Sequence, residues 1–92
     1  MNPQQLRYVR ALAETKSFVR AAEQCAVTQP TLSNGIAQLE QEFGQRLFDR
    51  TTRVVGLTDF GRHLLPSVLD VLNAQAALLA MARTLLPIRP AA

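Results

Sequence analysis

Residues 17–43, SFVRAAEQCAVTQPTLSNGIAQLEQEF, hold two short helical patterns on either side of a break at Ala26 and Val27. In the second, Leu32, Ile36, Leu39 and Phe43 recur at spacings of four, three and four, which puts them on one apolar stripe. Thr28 stands where an N-cap belongs, with a hydroxyl able to accept from a backbone N–H one turn on. Pro30 falls in the first turn, where its missing N–H costs no helical bond. The opposite arc shows Pro30, Ser33, Asn34, Ala37, Gln38 and Gln41 and carries no charge. An ordinary solvated face carries Lys, Glu and Arg. Short hydroxyls and amides instead suit a helix pressed against base edges, where Gln and Asn pair with adenine and Ser with several bases. Two helices in this relation make a helix-turn-helix, whose second helix lies in the major groove of double-stranded DNA.

The flanking segments fit around that pair. Residues 3 to about 15 read as a first helix, with Leu6, Val9 and Ala13 on one side. Ser17 caps the second helix, and Phe18, Ala22 and Cys25 form its inner stripe, while Ala21 and Ala22 are small enough for a close approach. Gly44 suits the left-handed residue that closes the third helix. Residues 47–57, LFDRTTRVVGL, are short, basic and β-branched in the middle, which predicts a small two-stranded wing. Arg50 and Arg53 flank Thr51 and Thr52 there. Guanidiniums and hydroxyls at a loop tip form a phosphate clamp, and the alternative is a solvent-facing loop with scattered charge.

From Thr58 a long helical pattern runs to about Leu86, a rod of about 43 Å at about 1.5 Å per residue. Leu65, Leu72, Leu79 and Leu86 recur every seven residues, with Leu69 and Ala76 widening the stripe, and Asp70 and Arg83 are the only charges between Leu64 and Leu86. A small body cannot cover a rod so apolar, so the remainder is expected to meet another chain through Leu65, Leu69, Leu72, Ala76 and Leu79. An internal core helix of a longer protein is the other possibility. Pro66 is expected to kink the rod by removing a bond to Arg62.

The chain resembles the winged helix-turn-helix domain of LysR-type transcriptional regulators. The matching residues are Leu6, Ser17, Phe18, Ala21, Ala22, the run VTQPTLS from Val27, Ile36, Leu39, Glu40, Gly44, Leu47, Phe48, Arg50, Arg53, Leu57, Thr58 and Gly61. They cover roughly residues 3–86. Two positions depart: Asn34 stands where the family often has a basic residue, and Gly35 interrupts the reading helix, where glycine costs about 1 kcal/mol against alanine. The resemblance implies that the wing follows the adjacent minor groove, which Arg53 would enter, and that the long helix makes an antiparallel homodimer. It also implies a larger effector-binding domain beyond this chain, through which alone a small-molecule inducer would act, and a higher oligomer at full length. The chain is then a fragment, or a naturally short protein.

Composition narrows the rest. With 92 residues there is room for one thin core, and a net charge of +3, nine of ten cations being Arg, favours forked contacts to phosphate. A lone Cys25 allows no internal disulfide and suits a reducing cytoplasm. The start, MNPQQLRYVR, shows no signal peptide. The longest apolar run, residues 76–82, is far short of the roughly 20 residues of a membrane span. His63 and Cys25 lack partners at ligand spacing, so no metal or cofactor is expected, and Glu40 and Glu42 do not share a helix face as a catalytic pair would.

The expected protein is therefore mainly α and not an enzyme: a winged helix-turn-helix with a three-helix core over residues 1–58, a linker or dimerisation helix over 59–86, and a tail over 87–92. Its expected function is sequence-specific double-stranded DNA binding in transcription regulation, at an imperfect palindrome. Thr28, Gln29, Pro30, Thr31, Ser33, Asn34 and Gln38 would face the major groove, and Arg50, Thr51 and Arg53 would hold the backbone and minor groove. The rival is a winged helix used only for protein–protein dimerisation.

Overall fold

Each helix starts at a side chain that satisfies one of its free N–H groups. In the computed structural model, which describes residues 1–51 and 54–88, Asn2 Oδ1 accepts from Gln5 N (2.9 Å) and opens α1, Pro3–Thr15. Ser17 Oγ accepts from Arg20 N (3.2 Å) and opens α2, Phe18–Gln24. Thr28 Oγ1 accepts from Thr31 N (3.3 Å) and opens α3, Gln29–Phe43. Thr58 Oγ1 accepts from Gly61 N (3.0 Å) and opens α4, Asp59–Thr84. Caps of this kind contribute about 1 kcal/mol each. Between α3 and α4 lie β1, Phe48–Asp49, and β2, Gly56–Leu57, antiparallel with Phe48 opposite Leu57 and Asp49 opposite Gly56. The wing is thus present, with strands shorter than the sequence pattern suggests.

The chain reverses at left-handed residues. Gly44 closes α3 with φ 80°, as expected. Lys16 and Ala26 adopt φ 56° and 57° without being glycine, which the sequence did not announce. Their turns are held by Lys16 N donating to Leu12 O (2.8 Å) and Val27 N donating to Ala22 O (3.0 Å).

The core lies where α1, α2 and α3 meet, with Leu12, Ala21, Leu32, Ile36 and Leu39 wholly enclosed. The apolar stripe of α3 faces inward as its spacing requires. The buried face of α1 is wider than expected: it adds Gln5, Tyr8, Ala11 and Leu12 to Leu6 and Val9, while Ala13 is half-buried. Leu47 and Phe48 carry the wing into this core. At Gly61 an added Cβ would lie 2.2 Å from Leu47 O, so this turn of α4 has no room for a side chain beside the wing.

α4 runs unbroken through Pro66 and buries Val68 and Leu72 in the body. From residue 73 to 88 every side chain is exposed. That outer half makes the long axis of the molecule 56 Å against 25 and 19 Å. By length and composition α4 could also cross a membrane, a property hidden when only the run 76–82 is considered.

Candidate nucleic-acid interface

α3 presents a continuous uncharged face. Thr28, Gln29, Pro30, Thr31, Asn34, Ala37, Gln38 and Gln41 are exposed and Ser33 is half-buried at its margin. No carboxylate stands on this face until Glu42, so nothing on it repels a phosphate-lined groove. The Thr28 and Thr31 hydroxyls are hydrogen-bonded to each other (2.8 Å) at the N-terminal tip. A helix N-terminus there offers N–H groups and a favourable dipole to an anion.

Behind the face, α1 fixes its depth. An added Cβ at Gly35 would lie 2.8 Å from Tyr8 Cδ2 and Cε2. The glycine that weakens α3 locally is what lets the Tyr8 ring sit against it, so the departure at Gly35 has a packing cause. Next to it, Gln5 Nε2 donates to Gln38 Oε1 (3.2 Å).

The wing is tied to α3 by Glu40, a link that its place in the sequence does not announce. Glu40 is buried, and one carboxylate oxygen accepts from Leu47 N (2.7 Å) and Phe48 N (3.3 Å). Its other oxygen accepts from Arg50 Nη2 (3.1 Å), and the Arg50 guanidinium lies 5.2 Å from the Phe18 ring centroid. The guanidinium expected to hold phosphate thus also lies between Glu40 and Phe18. Thr51 is also bonded within the wing: its hydroxyl (2.6 Å) and its N–H (2.9 Å) both donate to Asp49 Oδ1. Those two bonds, the hydroxyl first, hold the exposed Asp49 carboxyl below its usual range, with Arg46 adding to them. Arg53, with Thr52, lies outside the described residues. Arg46, a cation not among the expected site residues, is exposed and lines a depression shared with Ala37, Gln41 and Arg50, beside the face of α3. The hint was an arginine two residues after the Gly44 cap.

The residues assigned to dimerisation divide into two groups. Leu65 and Leu69 are half-buried and Leu72 is buried within its own chain, whereas Ala76 and Leu79 are exposed. Leu72, Ala76, Leu79 and Ala82 line an apolar groove closed on its other side by Arg7 and Arg10 of α1. Cys25 is half-buried under α1, its Sγ 3.9 Å from Arg7 O, and burial raises its pKa against the opposing pull of Arg10 and Arg7.

A three-helix core, its third helix exposing an uncharged polar face, and a short wing define a winged helix-turn-helix. Residues 3–62 match the family described as bacterial regulatory helix-turn-helix protein, lysR family. The chain belongs to that family. It is 49% identical over 85 residues to the HTH-type transcriptional regulator IlvR of Caulobacter vibrioides, covering 92% of this chain and 29% of that protein. It is 45% identical over 82 residues to the DNA-binding transcriptional dual regulator OxyR of Escherichia coli, covering 89% and 27%. Among solved structures, the BenM DNA-binding domain in complex with benA site 1 DNA superposes with a TM-score of 0.89 at 30% identity, over 97% of this chain and 100% of that one. The chain therefore spans less than a third of the length of these curated relatives.

Proposed function

We propose that this chain binds double-stranded DNA sequence-specifically as the reading domain of a transcription regulator. The observation that carries this is the uncharged, hydroxyl- and amide-bearing face of α3, capped by Thr28 and set at a fixed depth by Tyr8. Gln29, Pro30, Thr31, Ser33, Asn34 and Gln38 read bases in the major groove, with Thr28 at the tip. Arg46, and Arg53 of the wing, grip phosphate and minor groove. The relative solved with DNA supports this reading. Selection of bound genomic fragments tests it. Gln29→Ala and Ser33→Ala should each cost about 1–3 kcal/mol on the best site and much less on random DNA. Equal losses on both would remove these residues from base reading.

The domain works as a homodimer through the outer half of α4, an antiparallel pairing that covers Leu78, Leu79 and Met81, all more than half exposed in the single chain. A partner helix in the groove beside Arg7 and Arg10 suits this face better than a bilayer, since two arginines line the groove. A two-fold dimer presents two reading helices, so the site is an imperfect palindrome with half-sites about 10–10.5 bp apart or a multiple of that. The remaining length of the relatives is consistent with an effector domain that takes the inducer and builds a higher oligomer, in a regulator that acts in the cytoplasm.

A further inference from the structure

Gln38 is the one amide on the exposed face of α3 whose orientation is fixed from inside the protein. Asn2 N–H donates to Gln5 Oε1 (3.2 Å), and Gln5 Nε2 donates to Gln38 Oε1 (3.2 Å). A backbone N–H can only donate, so the Gln5 atom facing it must be the oxygen. The other end of the Gln5 amide is then the NH₂ group, and the atom of Gln38 facing it must be an acceptor. Gln5 is 9% exposed and cannot turn over without giving up the bond from the Asn2 N–H. An isolated surface glutamine offers oxygen or nitrogen equally, and pairs with adenine through both. Gln38 offers its nitrogen.

We propose that the Asn2–Gln5–Gln38 relay makes Gln38 a donor-only specificity residue that selects a base with acceptors in the major groove, guanine above all. Guanine presents N7 and O6 side by side there, both acceptors, whereas cytosine presents only its N4 donor. Gln5 is the positioning residue: it touches no DNA and sets what Gln38 can read. The proposal deepens the base-reading assignment of α3 and rests on it.

Gln5→Glu is the decisive variant. Glutamate keeps the capping-box contact, since its carboxylate still accepts from Asn2 N–H. Its second oxygen also accepts, so Gln38 must turn its NH₂ group inward and its oxygen outward. Bound duplexes selected from a randomised pool, sequenced for wild type, Gln5→Glu and Gln38→Leu, read the outcome. Wild type should favour guanine at one base pair in each half-site, by a few-fold to about tenfold, as one net hydrogen bond allows. Gln5→Glu should move that preference to adenine or cytosine, whose amino groups donate, and leave the other positions unchanged. Gln38→Leu should erase the preference there alone. If wild type yields a motif and Gln5→Glu yields the same one, the relay is wrong while base reading by α3 stands. If Gln38→Leu weakens every sequence alike, Gln38 holds phosphate and the proposal also fails. If wild type selects no motif, it is base reading that fails, and the relay with it. Should Gln5→Glu fold poorly, Gln5→Met, which frees the Gln38 amide to turn either way, should broaden that position to admit adenine, and an unchanged profile would again overturn the relay.

Discussion

Glu40 on α3 and Arg50 at the start of the wing form a partly buried ion pair, Oε1 to Nη2 3.1 Å, that sets the wing against the reading helix. The Glu40 side chain is 9% exposed and that of Arg50 30%. The carboxylate also takes the N–H groups of Leu47 and Phe48, so one side chain organises the whole entry to β1. The start of the wing is therefore tied directly to α3.

Glu40→Ala leaves two backbone N–H groups and a guanidinium without their acceptor. Removing one partner of a buried pair costs about 3–5 kcal/mol, and the partial exposure of Arg50 puts this case at the low end. The expected loss is about 3 kcal/mol, a fall in Tm of about 12 °C or more in a domain this small. Arg50→Ala should cost less, about 2 kcal/mol, because Glu40 keeps its two backbone bonds. Thermal melts of both variants check the order; two losses below about 0.5 kcal/mol would place the pair on an ordinary surface.

Gly35→Ala should destabilise the protein although alanine is the better helix former. The gain is about 1 kcal/mol of propensity. Against it stands a Cβ 2.8 Å from the Tyr8 ring, an overpacking that costs about 1–3 kcal/mol. Gly61→Ala should be worse, since its Cβ meets the Leu47 carbonyl at 2.2 Å, where backbone rather than a side chain must move. A double-mutant cycle of Gly35→Ala with Tyr8→Leu checks the cause. Additive losses would mean that the ring is not what excludes the methyl group.

Much of this architecture is legible in the chain. Thr28, Ser17, Thr58 and Gly44 announce helix ends because capping is local chemistry, and the stripe of Leu32, Ile36 and Leu39 is periodic. What stays hidden depends on contacts between distant segments. Glu40 reads as a surface charge until β1 brings Leu47 and Phe48 beside it. Gln5 reads as polar helix surface until α3 packs over it, 33 residues away in the chain. The bond from Arg50 to Glu40 is hidden for the same reason, because sequence gives the type and place of an arginine but not its direction.

Leu79→Arg and Leu72→Arg should separate assembly from folding. Leu79 is 52% exposed, so a charge there should give a folded monomer that binds the palindrome weakly. Leu72 is 5% exposed in its own chain, so a charge there should unfold the domain. Sedimentation with circular dichroism reads both. A dimeric Leu79→Arg would move the interface elsewhere on α4.

Cys25 should label slowly with iodoacetamide in the folded chain and quickly once unfolded, since burial raises its pKa and thins the thiolate. The same shift sets a pH dependence. A thiol with a higher pKa in the folded state stabilises that state while protonated, below the unfolded pKa, and the contribution is lost as pH rises through the folded value. Stability should therefore hold at neutral pH and decline in the alkaline range. Labelling of native and denatured protein at equal rates would contradict this.

The salt dependence of duplex binding tests the central claim most directly, because only contacts to phosphate release counterions. A dimer touching 6–10 phosphates should lose about 10³–10⁵-fold in affinity for its selected site between 50 and 200 mM salt, with log affinity falling linearly in log salt. An affinity that does not change with salt, or no binding above background to any genomic fragment, would contradict the assignment of this domain to DNA.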